Sequence, residues 1–239
     1  MYDIAELNID SIIEEYKCRN MCSIELVRIF ENGVAEEFHD FMNEHADVNN
    51  INLIAARIIM TCGHNTNLMK ILIESYGFKI NQEFMDIVED EMSADMFVLF
   101  HNYFVMTSYN TIACKIFNEA CIWNELHNIK KIIDLGYNVN QLIKNRKTRI
   151  CRLIWDGHYA TIEYLLSVGL DFKKYELDVV RTCIYSTNVN MLILFINYGA
   201  DLEILNKLTH EKSQDIMKIY QILESYGIEP ALCANLFIN

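Results

Sequence analysis

All eight glycines of this 239-residue chain stand in one of two places relative to short apolar phrases, and this regularity restricts the fold more than any other feature. One set closes Ile-Leu-Ile-Glu-Ser-Tyr-Gly77, Ile-Ile-Asp-Leu-Gly136, Leu-Leu-Ser-Val-Gly169, Phe-Ile-Asn-Tyr-Gly199 and Ile-Leu-Glu-Ser-Tyr-Gly227. The other set, Gly33, Gly63 and Gly157, lies 12 to 14 residues earlier, as the pairs 63/77 and 157/169 show. Glycine belongs just past a helix, where the backbone turns left-handed and a Cβ is penalised. Two helix ends per period mean two helices per unit. With His45 and Phe104 standing where glycine is expected, the second set falls at 45, 77, 104, 136, 169, 199 and 227, a period near thirty. Such a period implies stacked layers, each covering the apolar face of the last.

Composition agrees with an ordered helical array. The chain is 52% hydrophobic and 22% charged, with the single proline Pro230. A solenoid grows by adding layers, so one continuous domain is expected. No stretch approaches 18 uninterrupted apolar residues, and the start carries Asp3, Glu6 and Asp10 where a secretion signal is basic and then apolar. No membrane association and a cytoplasmic location are expected. The eight cysteines form no Cys-x-x-Cys pair and no zinc spacing, which points to reduced, packed thiols.

Residues 145–174 show the unit most clearly. Asn145, Arg146 and Lys147 read as a turn, Thr148 to Asp156 as a first helix, Gly157-His158 as a linker, and Tyr159 to Val168 as a second helix closed by Gly169. Ile162, Leu165 and Leu166 recur at helical spacing and need a neighbouring unit to cover them. Thr148, Ile150, Gly157-His158, Ile162, Leu165-Leu166 and Gly169-Leu-Asp171-Phe together resemble the ankyrin repeat, whose pattern runs Thr-Pro-Leu-His, Gly-His, Val, Leu-Leu, Gly-Ala-Asp-Val-Asn. Fragments of that pattern recur as His45-Ala-Asp47-Val-Asn49, Cys62-Gly63-His64, Gly136-Tyr-Asn-Val-Asn140 and Gly199-Ala-Asp201-Leu. The resemblance implies an all-α, ankyrin-like solenoid of about seven helix-turn-helix units, at 21–51, 52–83, 84–111, 112–144, 145–174, 175–204 and 205–235. Residues 1–20 are expected to form an N-terminal capping helix and 236–239 a short tail. The proline of the Thr-Pro-Leu-His turn is missing from every unit, and 84–111 lacks glycine, so irregular turns and a distorted third unit are expected.

No catalytic constellation is legible. The glycines never cluster into a phosphate-binding loop, and no Gly-x-Ser-x-Gly or His-Glu-x-x-His occurs, so neither enzyme, cofactor nor metal is expected. The seven histidines are scattered, and His64 and His158 follow glycines at places where the resemblance implies a structural linker role. Cys151 beside a basic run could be activated, although a packed thiol is the commoner outcome. Lys144, Arg146, Lys147, Arg149 and Arg152 put five cations and no acid within nine positions of a chain whose net charge is −13. The resemblance places Arg146, Lys147, Arg149 and Arg152, with Trp155 and Trp123 from neighbouring inner helices, on the hairpin and concave inner-helix surface where ankyrin arrays hold partners. Arginine and tryptophan are frequent interface anchors. The competing reading neutralises the cations with acids of adjacent units and buries the tryptophans in the core.

Repeats rich in Ile, Asn and Tyr and poor in Gly and Pro are similar to ankyrin proteins of large DNA viruses such as mimiviruses and poxviruses. The resemblance implies a monomeric adaptor that binds a host or viral protein. A structural, virion or assembly component making permanent contacts is the alternative. Nucleic acid is disfavoured by the negative charge, which includes twelve acids against three bases in residues 1–50.

Overall fold

The computed structural model describes residues 29, 33–46, 51–61, 65–88, 92–103, 109–201 and 224. The expected N-terminal cap, the unit 205–235 apart from Glu224, the tail, Gly63-His64, Phe104 and Gly227 lie outside the described residues. Every described element is helical, and the fold is an all-α ankyrin-like repeat array. The chain divides into two compact units, residues 1–116 and 117–239.

The first unit contains α1 (Ala35–Glu44), α2 (Ile51–Thr61), α3 (Thr66–Tyr76), α4 (Gln82–Val88) and α5 (Ala94–Tyr103). Its core is built from Phe38, Ala55, Ala56, Met60, Leu68, Met69, Leu72, Met85, Phe97 and Phe100, all buried. Helix starts are set by short polar side chains: Asn65 accepts from Leu68 N at 3.1 Å, Asn81 from Phe84 N at 2.8 Å and Ser93 from Met96 N at 3.2 Å. Asn81 and Ser93 start the two helices of the glycine-free stretch. There α4 is only seven residues long, while Met96, Phe97 and Phe100 supply the buried face of α5. His45 ends α1 without a left-handed residue, at φ −111°. Instead its ring stacks on Phe41 at 4.5 Å and its Nδ1 lies 2.9 Å from the Phe41 carbonyl.

The second unit begins within α6 (Tyr109–Trp123) and continues through α7 (Leu126–Asp134), α8 (Val139–Leu142), α9 (Arg146–Trp155), α10 (Tyr159–Ser167), a 3-10 turn (Lys173–Tyr175), α11 (Glu176–Tyr185) and α12 (Val189–Asn197). Ile150, Ile154, Ile162, Leu165, Val179, Met191 and Phe195 form its dry interior. The six described glycines all have positive φ, from 64° to 91°. Where the inner helices end, the same conformation is taken by Asn124 (φ 56°) and Thr187 (φ 52°) as well as by Gly157 (φ 75°). Each is spanned by one closing bond of about the same length: Glu125 N to Ala120 O at 2.8 Å, His158 N to Leu153 O at 2.9 Å, and Asn188 N to Cys183 O at 2.9 Å. The glycine phase therefore continues through residues that sequence inspection does not flag.

Loops are tied to one another by side chains. Asn140 donates to the Gly169 carbonyl at 2.8 Å and accepts from Asp171 N at 2.8 Å. One repeat later, two side chains share this bracing: Lys173 donates to the Gly199 carbonyl, and Glu176 accepts from Asp201 N at 2.6 Å. Asn118, buried on α6, donates to the Leu142 carbonyl at 2.9 Å and accepts from Lys144 N at 3.2 Å. Buried polar groups need such partners because water cannot supply them.

Candidate functional site

The cationic run and both tryptophans belong to the second unit. Helix α9 starts at Arg146, two residues before the expected Thr148, so Arg146 and Lys147 occupy its first turn and not a hairpin; Asn145 precedes it at φ 48°. The absence of the helix-starting Thr-Pro pair leaves nothing to hold that segment in a turn.

Three of the five cations meet carboxylates. Arg146 donates to the Asn140 carbonyl and lies 3.9 Å from Asp171, so it braces the loop of its own repeat. Lys147 pairs with Asp178 of α11 at 2.9 Å, and Arg152 with Asp156 at 2.5 Å. The competing reading of the run as cross-repeat neutralisation is thus realised at Lys147, whose partner lies in the next repeat. These pairs are not symmetric in depth, however: Arg152 is 70% exposed over an Asp156 that is 26% exposed, and Lys147 is 54% exposed over an Asp178 that is 30% exposed. In these two pairs the cation is the more exposed partner, whereas in the third Arg146 is 22% and Asp171 55% exposed. Arg149 is half-buried, and its Nε is buried without a hydrogen-bond partner among the described residues. Its charge reaches Cys121, whose thiol burial pushes up to about 12 against the opposing pull of Arg149.

The tryptophans are not core residues. Trp123 is 74% exposed and Trp155 60% exposed, which corrects the reading that buries them. Each is the last residue of its inner helix, and the apolar interior is already filled by Ala120 and Cys121 on α6 and by Leu153 and Ile154 on α9. The next residues on each helix rotate toward water. Counting back two positions from Asn124, Gly157 and Thr187 gives Ile122, Trp155 and Tyr185, which are 48%, 60% and 48% exposed. Three successive inner helices therefore expose a large apolar side chain in one register. Ile122 and Tyr185 escape sequence reasoning because Asn124 and Thr187 do not mark that register, whereas Gly157 does.

Cys151 is half-buried, its thiol 3.8 Å from the Asp178 carbonyl. Burial likewise pushes the Cys183 thiol well above its ordinary range, with Cys151 adding to the rise. His158 enters the linker through its backbone, its N–H donating to the Leu153 carbonyl at 2.9 Å. Among the described residues, no group of three or more His, Cys, Asp or Glu side chains is placed to hold a metal, and no helix is long and apolar enough to cross a membrane.

Comparison with known proteins supports the repeat reading. The chain is similar to an ankyrin repeat protein of Acanthamoeba polyphaga mimivirus, with 32% identity over 107 residues, a segment covering 43% of this chain and 34% of that protein. The chain thus spans about a third of its relative's length. No family model and no solved structure matches it.

Proposed function

We propose that this ankyrin-like helical array is a non-catalytic protein-binding scaffold, an adaptor that engages a host or viral protein through the exposed ends and faces of its inner helices. The observation that carries this reading is the pair Trp123 and Trp155, large aromatic surfaces left in water at 74% and 60% exposure, more than any other large apolar side chain among the described residues. Covering such rings is a main source of binding free energy at interfaces, and arginine beside them adds directed hydrogen bonds. Arg152 stands three residues before Trp155 on α9, one helical turn away. A scaffold ordered before binding does not pay the entropy of folding onto its partner. The mimivirus similarity supports a viral setting. The proposal places the protein in the host cytoplasm as a monomer, without cofactor or metal, and with a protein as partner in preference to nucleic acid.

Affinity capture from host-cell lysate, comparing the wild type with a Trp123→Ala/Trp155→Ala variant, tests it. Both positions are exposed, so helicity by circular dichroism should be unchanged while recovery of the specific partner falls about tenfold or more. Equal recovery by the folded double variant would remove this surface from consideration. Arg152→Glu is a suitable companion. Arg146→Glu is not, because Arg146 holds Asn140 and Asp171 and its loss would disturb the repeat itself.

A further inference from the structure

The last turn of α6 exposes Glu119, Ile122 and Trp123, whose spacing of three and four residues puts them on one face of the helix. Trp123 is 74% exposed and Ile122 beside it 48%. The corner that follows is fixed. Asn124 is left-handed, Glu125 N donates to the Ala120 carbonyl at 2.8 Å, and Asn124 Oδ1 accepts from the Thr161 hydroxyl of α10 at 2.7 Å. The indole is thus presented from a backbone held in place before any partner arrives. The charge around it is one-sided. Glu119 is exposed and makes no ion pair or hydrogen bond among the described residues. Glu125 is exposed and accepts from the Asn128 amide at 2.8 Å, a neutral donor that leaves the carboxylate its charge. The sequence has no lysine or arginine between Lys115 and Lys130, and Lys130 lies over the Tyr164 ring of α10 at 5.2 Å. Arg149 of α9 reaches α6 at buried Cys121, which stands two residues from both Glu119 and Trp123 and so projects about 200° round the helix from each. Trp155 differs, because Arg152 and Asp156 beside it are paired with each other.

Resting on the binding role proposed above, we infer that the end of α6 receives a basic segment of the partner protein, an arginine or lysine stacking on Trp123 while Glu119 and Glu125 accept from its N–H groups. Tryptophan attracts a cation to its face more strongly than the other aromatic side chains do, and a guanidinium can lie flat on the ring and still donate from its edge to a carboxylate. Ile122 packs against the aliphatic stem of the same side chain. An acidic segment would set its carboxylates against Glu119 and Glu125, and a wholly apolar one would cover both without giving either a partner. The net charge of −13 draws a basic segment in from a distance, and the two carboxylates beside the ring fix where it settles.

The probe is a fluorescein-labelled peptide of four Arg-Ser-Gly triplets, followed by anisotropy with the full-length protein. Wild type should bind it about tenfold or more tightly than a Glu-Ser-Gly peptide of equal length, and added salt should weaken binding. Trp123→Ser and Glu119→Lys should each lower affinity about fivefold or more, with helicity by circular dichroism unchanged. Glu36→Lys, at an exposed position of α1, changes the net charge by the same amount and should alter affinity by less than about twofold at physiological salt. That comparison separates the site from general attraction to an acidic chain. Trp155→Ser should bind as wild type does; it leaves Trp123 as the one tryptophan, so emission should change when unlabelled peptide is added. The inference is overturned by absence of binding, by equal binding of the Glu-Ser-Gly peptide, by equal losses in Glu36→Lys and Glu119→Lys, or by unchanged affinity in folded Trp123→Ser. None of those results touches the adaptor reading if lysate capture still depends on Trp123 and Trp155, and that reading falls only by the capture experiment itself.

Discussion

Thr187 holds a left-handed backbone at φ 52° although it is β-branched, and its side chain is exposed. An L-residue gives up about 1–2 kcal/mol in this region, part of which glycine returns as added freedom of the unfolded chain. Thr187→Gly should therefore raise stability by about 1 kcal/mol, seen as a higher urea midpoint. Asn124 has nearly the same φ but a different fate. Its Oδ1 accepts from the Thr161 hydroxyl at 2.7 Å, and Thr161 is 1% exposed. Asn124→Gly relieves the backbone yet strands a buried hydroxyl, so a net loss of about 1 kcal/mol is expected from the same urea titration. The thiols separate equally sharply. At pH 8 a thiol with a pKa of about 12, as at Cys121, is thiolate in about one molecule in ten thousand. A brief iodoacetamide pulse read by mass spectrometry should label half-buried Cys114 and Cys151 well before buried Cys121 and Cys183. The sign of the linkage follows from the same shift. A thiol raised from 9.0 to about 12 in the folded protein contributes stability that is complete below pH 9 and lost as pH rises toward 12, so alkaline destabilisation should be smaller in Cys121→Ala.

Among the elements, the helix ends and the loops between them carry different kinds of information. Glycine spacing is visible in the chain, and so is the Gly-x-Asp/Asn fragment at 136, 169 and 199. What that fragment does becomes clear only when the next repeat is beside it: Asn140 satisfies both Gly169 and Asp171, and Lys173 with Glu176 does the same for Gly199 and Asp201. Substituting Asn118 tests the same principle inside the unit. Asn118→Leu keeps the apolar volume but leaves the Leu142 carbonyl and Lys144 amide without their partner, and should cost about 2 kcal/mol by urea unfolding. The early start of α9 at Arg146 has a related cause. With no proline to stop it, the helix extends back to a left-handed Asn145.

For the molecule, the two functional readings differ in association. An adaptor that captures a partner stays monomeric across micromolar concentrations in sedimentation velocity, helped by the repulsion of a net charge of −13, whereas a structural component making permanent contacts forms stable higher assemblies. The expected result is a single monomeric boundary that shifts only when a partner is added. A concentration-dependent assembly in the absence of partner would favour the structural reading.

The chain by itself determined the helical class, the two helices per period of about thirty residues and most of the buried faces, because these follow from local rules: apolar spacing along a helix and the steric demand at its end. Tertiary structure decided which residues face water. Trp123 and Trp155 look like core residues in a linear reading, and their exposure depends on which neighbours had already filled the interior. It also decided which cations are held by carboxylates 25 or more residues away: Arg146 by Asp171 when its own repeat folds back on itself, and Lys147 by Asp178 only when one repeat is stacked on the next.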